Sequence, residues 1–292
     1  MSVAFITGAN GFIGKAFAEE TKGIFQQILL DSEVFDGDWK ANLIRKLSVS
    51  RPDVVFHFGA CSDTQNRNLD EMMLKNVLFT YFLVDWCILH KIPLIYSSSA
   101  AVYGFNSKKE QGDIVIQHDL TLYAYSKLIG EKSVIQMGGI GLRYFNVYGH
   151  DERHKGNMSS VALQSYFKHL KGERVEIFQN KPQRDFVYVK DVISANLHAW
   201  YNYRGLQGGF YDVGTGKART FEDVLDIMRI PYSYAPLERI PPKYQFYTKA
   251  ESRNKMKGWY SQWSLEAGLE EYKAILDGIY QKPDENTPEN TL

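Results

Sequence analysis

Three evenly spaced glycines near the start of the chain limit its folding more than any other feature. Gly8, Gly11 and Gly14 follow an apolar run at 3–7 that predicts a buried strand, and they open a helical segment. Glycines in this place allow a tight turn, close approach of a pyrophosphate and close helix packing. A plain glycine-rich turn is the alternative. Asp31 lies about twenty residues further on, where an acidic residue would accept hydrogen bonds from an adenosine ribose, so the turn predicts dinucleotide binding.

Strand and helix patterns alternate along the first half of the chain. Apolar runs predict strands at 3–7, 27–30, 53–58, 93–96 and 140–145, and helical spacing predicts helices at 12–21, 39–49, 70–90 and 123–136. This alternation predicts an α/β fold with a doubly wound parallel Rossmann sheet. We expect residues 1–145 to form the NAD(P)-binding Rossmann domain.

The alternation stops after residue 145, where Gly, Asn, Lys and Pro become frequent. We expect a smaller, interleaved substrate-binding lobe over 146–282, with part of 186–204 returning to the Rossmann domain. The glycine-rich segment 205–209 predicts a loop between a helix and a strand. The polar, proline-interrupted residues 283–292 predict a disordered tail.

Composition excludes several classes of protein. The 292 residues are 44% hydrophobic and carry a formal net charge of zero, so no overall field favours nucleic acid or an anionic membrane. Cys61 and Cys87 form no disulfide framework, and no histidine spacing indicates a metal site. We find neither a signal peptide nor an apolar stretch long enough to span a bilayer, and we expect a cytoplasmic protein.

Tyr123 and Lys127 lie four residues apart in a predicted helix, and such residues share one helix face. An ammonium beside a phenol favours the phenolate and would lower the pKa of Tyr123 towards neutrality. With nineteen tyrosines in the chain, one such pair is expected by chance. Its meaning therefore depends on the motifs around it.

Those motifs resemble the extended short-chain dehydrogenase/reductase pattern. The glycine turn has that family's spacing, Asp38 stands where the family contacts adenine, and Gly59 and Ala60 resemble the turn beneath the cofactor. Ser99 closes a serine run where a hydroxyl beside the tyrosine is expected. By this resemblance, Tyr123 and Lys127 are catalytic.

Longer segments resemble the ADP-L-glycero-D-manno-heptose 6-epimerases. They are 57–62, 96–104, 143–160, 184–189 and 244–248, of which 143–160 is the most discriminating. The resemblance implies an isomerase that oxidises C6 of an ADP-heptose transiently with bound NADP and supplies lipopolysaccharide synthesis. It implies Tyr123 and Lys155 as the two acid/base groups, Lys127 as the group that orients the nicotinamide ribose, and Ser99 as the group that polarises the reacting oxygen. A solvated loop lysine is the alternative for Lys155.

The resemblance also implies binding residues. The cofactor set is Gly8, Asn10, Gly11, Phe12, Ile13, Gly14, Asp31, Ser32, Asp38, Trp39, Phe58, Gly59, Ala60, Cys61, Ser62, Asn76, Tyr123, Lys127, Val147 and Lys155. The substrate set is Ser62, Ser99, Asn146, Asn157, Gln164, Phe178, Gln179, Asn180, Lys181, Arg184 and Tyr244. For Arg184 the alternative is an ion pair with Asp185.

Four features depart from the family pattern. Asn157 replaces a common serine, Gln164 replaces a frequent histidine, and Lys75 stands where an asparagine contacts the cofactor, although Asn76 is adjacent. The segment 32–39 also lacks the basic residues that hold the 2′-phosphate of NADP. Without a counter-charge, for which Lys40 is the candidate, Asp31 and Glu33 would repel that phosphate. We therefore expect NADP, from family membership, only slightly ahead of NAD.

Two other functions compete with the heptose epimerase. One is a related reductase acting on another nucleotide sugar, as a 4-epimerase or a 4,6-dehydratase. Ala100 and Ala101 after Ser99 argue against the dehydratase, which needs an acidic pair there. The other is a non-catalytic NAD(P)-binding sensor or scaffold, against which the intact Ser99, Tyr123 and Lys127 argue. A homo-oligomer is expected in either enzyme, and apolar helices around 72–89 would suit the contact, although core helices explain that stretch equally well.

Overall fold

The computed structural model describes residues 1–104, 120–240 and 244–281, so the predicted tail over 283–292 lies outside the described residues. The strands are β1 Ser2–Thr7, β2 Phe25–Leu30, β3 Val54–His57, β4 Leu94–Ser99, β5 Ile140–Tyr144, β6 Asn146–Tyr148, β7 Val175–Phe178, β8 Gln183–Tyr188, β9 Gly209–Val213, β10 Ala218–Thr220 and β11 Tyr232–Ala235. The helices are α1 Phe12–Glu20, α2 Trp39–Ser50, α3 Leu69–Met72, α4 Phe79–His90, α5 Leu122–Gln136, α6 Val161–Leu170, α7 Val189–Tyr201, α8 Tyr203–Leu206, α9 Phe221–Met228 and α10 Leu265–Tyr280.

The large sheet has six parallel strands in the order β2-β1-β3-β4-β5-β9. The chain steps outward from β1 to β2 and then crosses back to place β3 on the other side of β1. The carboxyl ends of β1 and β3 therefore meet at the point where the winding direction reverses, which is where open α/β sheets bind ligands. The predicted doubly wound parallel sheet is confirmed.

The two faces of this sheet carry separate apolar cores, because successive side chains of a strand point to opposite faces. Ala4 and Ile6 of β1 join the core beneath α1 and α7, whereas Phe5 joins the core beneath α2 and α4. All three side chains are fully buried. Covering helices on both faces explain why the strands are continuous apolar runs.

The helical segment predicted over 70–90 is not one regular helix. A π-helical turn, Met73–Leu78, joins α3 to α4 and adds a residue to the turn. By length and hydropathy alone, Leu69–His90 could cross a membrane, contrary to our sequence expectation, with 44% of the tested window buried. Core helices of soluble proteins pass the same test, and α4 places Phe79, Leu83 and Cys87 in the core beneath the sheet.

The chain leaves the large sheet after β5. Strand β6 pairs with β8 in a three-stranded sheet completed by β10, and β7 pairs with β11. Helix α7 then returns to pack against α1, and β9 pairs with β5 as the sixth strand of the large sheet. The pairing of β9 was not predicted from the sequence.

Candidate active site

A cavity of about 290 Å³ opens at the carboxyl ends of β1 and β3. It extends from the glycine turn to the N-terminal half of α5 and to the loop after β6. Its lining residues are Thr7, Gly8, Gly11, Phe12, Ile13, Gly14, Leu30, Asp31, Ser32, Val34, Phe35, Phe58, Gly59, Ala60, Cys61, Ser62, Lys75, Phe79, Ser97, Ser98, Tyr123, Lys127, Tyr144, His154 and Lys155.

Two glycine turns touch at the base of the cavity. Gly8 has φ of 67°, and a Cβ added there would lie 2.6 Å from both Cα and N of Gly59. A side chain at this position would therefore be both strained and without space. Gly11 caps α1 with no side-chain hydrogen bond, which leaves the N-terminal N–H groups of the helix for a ligand. This backbone cradle fits a dinucleotide pyrophosphate.

Asp31 ends β2 at the rim of the cavity. Its Oδ2 accepts a hydrogen bond of 2.7 Å from the Asn10 N–H, and its Oδ1 accepts one of 2.7 Å from the Ser32 N–H. Glu33 lies beside it and accepts from Lys46 Nζ at 3.3 Å. The rim at β2 therefore presents two carboxylates, and Lys46 is already paired with one of them.

His57 organises the floor beneath the cavity. Its Nδ1 lies 2.7 Å from Thr7 Oγ1, which also accepts from the Gly59 N–H, and its Nε2 lies 2.9 Å from Thr80 Oγ1. Because the Thr80 hydroxyl donates to the carbonyl of Asn76, Nε2 must carry the ring proton and Nδ1 must accept. Burial, together with the charge of Lys127, lowers the pKa of His57 to about 3, so the ring stays neutral.

Asn76 fixes the turn that follows β3. Its Oδ1 accepts from the Cys61 N–H at 2.7 Å, and its Nδ2 donates to the Cys61 carbonyl at 3.1 Å and to Ser126 Oγ at 2.9 Å. The amide is thus committed within the protein, and the neighbouring Lys75 lines the cavity instead. Asn76 shapes the turn through Cys61.

Tyr123 and Ser99 meet across the cavity wall. Thr121 caps α5 with a hydrogen bond of 3.1 Å to the Ala124 N–H, which sets the phenol of Tyr123 one residue inside the helix. Burial raises the pKa of Tyr123, while the hydrogen bond to Ser99 opposes that rise. The lowering expected from Lys127 is therefore not the net result, because desolvation of the phenol is the larger effect.

Lys127 is buried one turn further along α5, with its Nζ 4.3 Å from the centre of the Tyr96 ring. Burial lowers its pKa to about 7, and the charge of Glu131 opposes that fall. Glu131 is itself held by two hydrogen bonds from Arg143, of 2.8 Å and 2.6 Å, between side chains no more than 2% exposed. Lys127 therefore titrates near neutral pH beside an ion pair that is already complete.

Lys155 reaches the cavity from the loop after β6, within the 3₁₀ turn Arg153–Met158. Its Nζ lies 5.5 Å from the centre of the Phe12 ring at the start of α1. Burial lowers the pKa of Lys155, and the charge of Glu152 opposes that change. The structure thus brings Lys155 to the same cavity as Tyr123 and Lys127.

A second group of predicted residues lies in the smaller lobe. The Arg184 guanidinium lies 5.2 Å from the Tyr244 ring and donates to the carbonyls of Gln183 and Gln245. Phe178 meets Tyr244 edge to face at 5.0 Å. Asp185 does not pair with Arg184, since its carboxylate accepts hydrogen bonds from Thr215, Gly216 and Ala250.

The remaining predicted residues outside the cavity lining have other contacts. Asp38 caps α2, Trp39 packs against Phe79, Val147 pairs with Val187, and Asn146 accepts from Thr248. Gln164 donates to the carbonyls of Asn157 and Ser159, at 3.1 Å and 2.7 Å. Gln179, Asn180 and Lys181 follow β7, and the buried Asn180 Oδ1 lacks a hydrogen-bond partner among the described residues.

Several cavity residues were missed by sequence reasoning. They are Thr7, Leu30, Val34, Phe35, Lys75, Phe79, Ser97, Ser98, Tyr144 and His154. Thr7 and Leu30 end strands that meet at the cavity, so strand ends were a usable signal. Ser98 has a buried Oγ with no partner in the described part of the chain, which leaves it available to a ligand.

Residues 4–214 match the model of the NAD dependent epimerase/dehydratase family. The chain belongs to this family. It is 32% identical over 266 residues to an ADP-L-glycero-D-manno-heptose-6-epimerase of Brachyspira hyodysenteriae, covering 85% of this chain and 82% of that one. The predicted family resemblance is thereby confirmed. The predicted enzyme class, an epimerase and therefore an isomerase, is confirmed as well. A nicotinamide dinucleotide is supported by the family, without a choice between NAD and NADP.

Solved structures agree with this assignment. The Helicobacter pylori ADP-L-glycero-D-manno-heptose-6-epimerase has a TM-score of 0.80 at 26% identity, covering 94% of this chain and 96% of that one. UDP-glucose 4-epimerase of Thermotoga maritima, solved with UDP-glucose, has a TM-score of 0.80 at 24% identity, covering 95% and 99%. At this identity, the similarity to the Thermotoga maritima enzyme shows only a shared fold.

Proposed function

We propose that this epimerase converts ADP-D-glycero-D-manno-heptose to its L-glycero isomer at C6, in the cytoplasm and as a homo-oligomer. The observation that carries the proposal is that Lys155 and Tyr123 line one cavity. Inverting a carbon through a ketone requires proton transfer in two half-reactions, which two acid/base groups can supply. The relative of 32% identity supports the choice of sugar.

Tyr123 is the first acid/base group. A bound nicotinamide dinucleotide would supply the hydride chemistry at the sugar carbon, and Tyr123 would move the proton on the sugar oxygen. Ser99 lies within hydrogen-bonding reach of Tyr123 and would polarise the same sugar oxygen. Lys127, with a pKa lowered to about 7, supplies a positive charge below that pH and would hold the nicotinamide ribose.

Lys155 is the second group. Its pKa is lowered by burial, so the neutral amine that a base requires is more accessible than in a solvated lysine. A solvated loop lysine, the alternative from sequence, would not show this effect. Its position beside Phe12 also lets the protonated form approach the cofactor phosphates at the start of α1.

Arg184 would hold the diphosphate of the nucleotide sugar. The side chain is buried, and in the described part of the chain it forms no ion pair, since Asp185 is bonded elsewhere. A buried guanidinium with unused donors favours an anionic ligand. Tyr244 and Phe178 would pack against the nucleotide beside it.

For the cofactor we propose NAD in preference to NADP, reversing the slight lean from sequence. Asp31 lines the cavity where an adenosine ribose would lie, Glu33 accepts from the Asp31 N–H, and Lys46 is engaged with Glu33. A carboxylate accepts a hydrogen bond from a ribose 2′-hydroxyl but repels a 2′-phosphate. Mass spectrometry of the dinucleotide released from purified protein decides between the two.

The deciding experiment follows ADP-D-glycero-D-manno-heptose by NMR during incubation with the protein and NAD. We expect inversion at C6, abolished by Lys155→Met combined with Tyr123→Phe and retained in the exposed control Lys168→Met. An unchanged C6 configuration refutes the proposed substrate. Interconversion of UDP-glucose and UDP-galactose in the same assay would favour the 4-epimerase, and a protein that binds NAD without turnover would be a sensor or scaffold.

A further inference from the structure

The loop that carries Lys155 has open space on both sides. On one side lies the cofactor cavity, which His154 and Lys155 line. On the other lies a second cavity of about 920 Å³, bounded by α1, α10 and the loop residues 150–154. His154 lines both. Between the two cavities, several hydrogen bonds hold this segment in place.

The Glu152 side chain accepts four of those bonds. Its side chain is fully buried, and its Oε2 accepts from the Ser160 N–H at 2.6 Å. Its Oε1 accepts from Ser160 Oγ at 2.6 Å, Tyr272 Oη at 3.0 Å and the Gly149 N–H at 3.4 Å. One carboxylate therefore joins both ends of the loop to α10.

The ends of the loop are fixed independently of Lys155. A Cβ at Gly149 would lie 2.5 Å from Val189 Cγ1, at φ of 150°, so the chain passes close to α7 there. Ser160 caps α6 through the Leu163 N–H at 3.3 Å. Within the loop, the Lys155 N–H donates to the Glu152 carbonyl at 3.0 Å. Glu152 thus connects these fixed ends to the residue that carries the ammonium.

We propose that Glu152 is the positioning residue of Lys155, holding the loop at the cofactor cavity and placing a negative charge beside the ammonium. The proposal rests on the role of Lys155 under the proposed function. Burial raises the pKa of Glu152, opposed by its bonds to Ser160 and by the charge of Lys155. Conversely, Glu152 raises the pKa of Lys155 against the larger effect of burial. Each charge therefore stabilises the other.

The other titratable groups around Lys155 are Asp151 and Arg153 on its own loop and, in its cavity, Asp31, Cys61, Lys75, Tyr123, Lys127 and His154. A substitution at Glu152 changes none of these side chains, so a change in the titration of Lys155 reports the charge of Glu152.

The first test is the titration of Lys155 in Glu152→Gln, followed by NMR of ¹³C-lysine-labelled protein without substrate. The Lys155 resonance is assigned by its loss in Lys155→Arg. Because the glutamine carbonyl can still accept hydrogen bonds from Ser160 and Tyr272, the loop should stay in place, and we expect the pKa of Lys155 to fall as the negative charge is removed. Glu271→Gln, a like change on α10 in an ion pair with Lys190, should leave that pKa unchanged. An unchanged Lys155 pKa in folded Glu152→Gln overturns the proposal.

The second test uses Tyr272→Phe, which keeps the carboxylate and removes one donor. We expect kcat to fall roughly 10-fold to 100-fold with KM nearly constant, because small misplacement of a reacting group is costly. Tyr166→Phe is the matched control, since Tyr166 donates to Asp277 at 2.9 Å between α6 and α10. Equal kcat losses in Tyr272→Phe and Tyr166→Phe would show that Glu152 has only a structural role and would overturn the proposal. A wild type without epimerase activity refutes the proposed function, while the NMR titration still decides the Glu152 contact.

Discussion

The two walls of the cofactor cavity are built by different means. On the sheet side, the turns after β1 and β3 meet through backbone, with Gly8 against Gly59 and the floor fixed by His57. On the other side, the loop between β6 and α6 is held by side chains, chiefly Glu152 and Gln164. The first wall leaves no space for a side chain where the two turns touch. The second depends on a few polar contacts, so changes there should alter catalysis before they alter cofactor binding.

The largest effect should come from the sheet side. Gly8→Ala would place a methyl group against Gly59 and force a residue with a Cβ into φ of 67°. We expect loss of NAD binding or of soluble protein, measured by calorimetric titration and by yield. Gly23→Ala is the control, since a Cβ there meets nothing within 4 Å. Unchanged NAD affinity in Gly8→Ala would refute a backbone-limited cradle.

Lys127→Met should raise the stability of the protein and lower its catalytic activity. Below a pH of about 7 the folded protein carries a desolvated ammonium, whereas the unfolded lysine has the ordinary pKa of 10.5. The unfolded state binds more protons between these values, so wild-type stability rises with pH across that range. We expect the variant to be about 1 to 4 kcal/mol more stable at pH 6, with a smaller gain at pH 9, by urea unfolding.

The same Lys127→Met variant should lose kcat by roughly 10³-fold, since it removes a charged group from the proposed catalytic set. Glu131 keeps both hydrogen bonds from Arg143, so the variant should fold. A less stable variant at pH 6 would show that Lys127 contributes to folding rather than opposing it.

A moderate effect is expected in the loop. Gln164→Ala removes the two hydrogen bonds to the carbonyls of Asn157 and Ser159. We expect kcat to fall about 10-fold with NAD affinity unchanged, measured by steady-state kinetics and calorimetry. If NAD affinity fell equally, the distinction between the two walls would fail.

The smallest effect is expected at the surface contact between the walls. Lys15 Nζ and Asp151 Oδ1 lie 2.7 Å apart, with side chains 44% and 27% exposed. Exposed ion pairs contribute about 0 to 1 kcal/mol. Asp151→Asn should therefore change the free energy of unfolding by less than 1 kcal/mol, and more weakly in 1 M salt. A loss of kcat beyond about 10-fold would show that this pair also holds the loop.

The sheet side could be predicted from sequence because its signals are local. Short apolar runs predicted the strands, and the glycine spacing predicted the turn that meets Gly59. The loop side could not be predicted from sequence, because its contacts join residues far apart in the chain. Tyr272 reaches Glu152 across 120 positions, and no local pattern marks either residue as a partner of the other.

Besides long-range contacts, the burial of individual side chains could not be predicted from the sequence. The spacing of Tyr123 and Lys127 correctly predicted one helix face, and both line one cavity. It did not predict that desolvation would raise the pKa of the tyrosine and lower that of the lysine. Gln164 and Asn76 were predicted to contact ligands from their positions in motifs. Their amides bind the protein backbone, although whether they also contact ligands stays a prediction.

In the π-helical turn Met73–Leu78, the number of residues determines the geometry as much as their identity does. Upstream, Glu71 accepts from Asn66 in the segment after β3, and downstream, Thr80 contacts His57 at the end of β3, so both halves of the helix contact this part of the chain. Each residue of an α-helix rotates the next by about 100°. Deleting a single residue from this turn would rotate one half of the helix relative to the other and break one of these contacts. All the remaining side chains would be unchanged. The length of this segment is therefore itself part of the binding site.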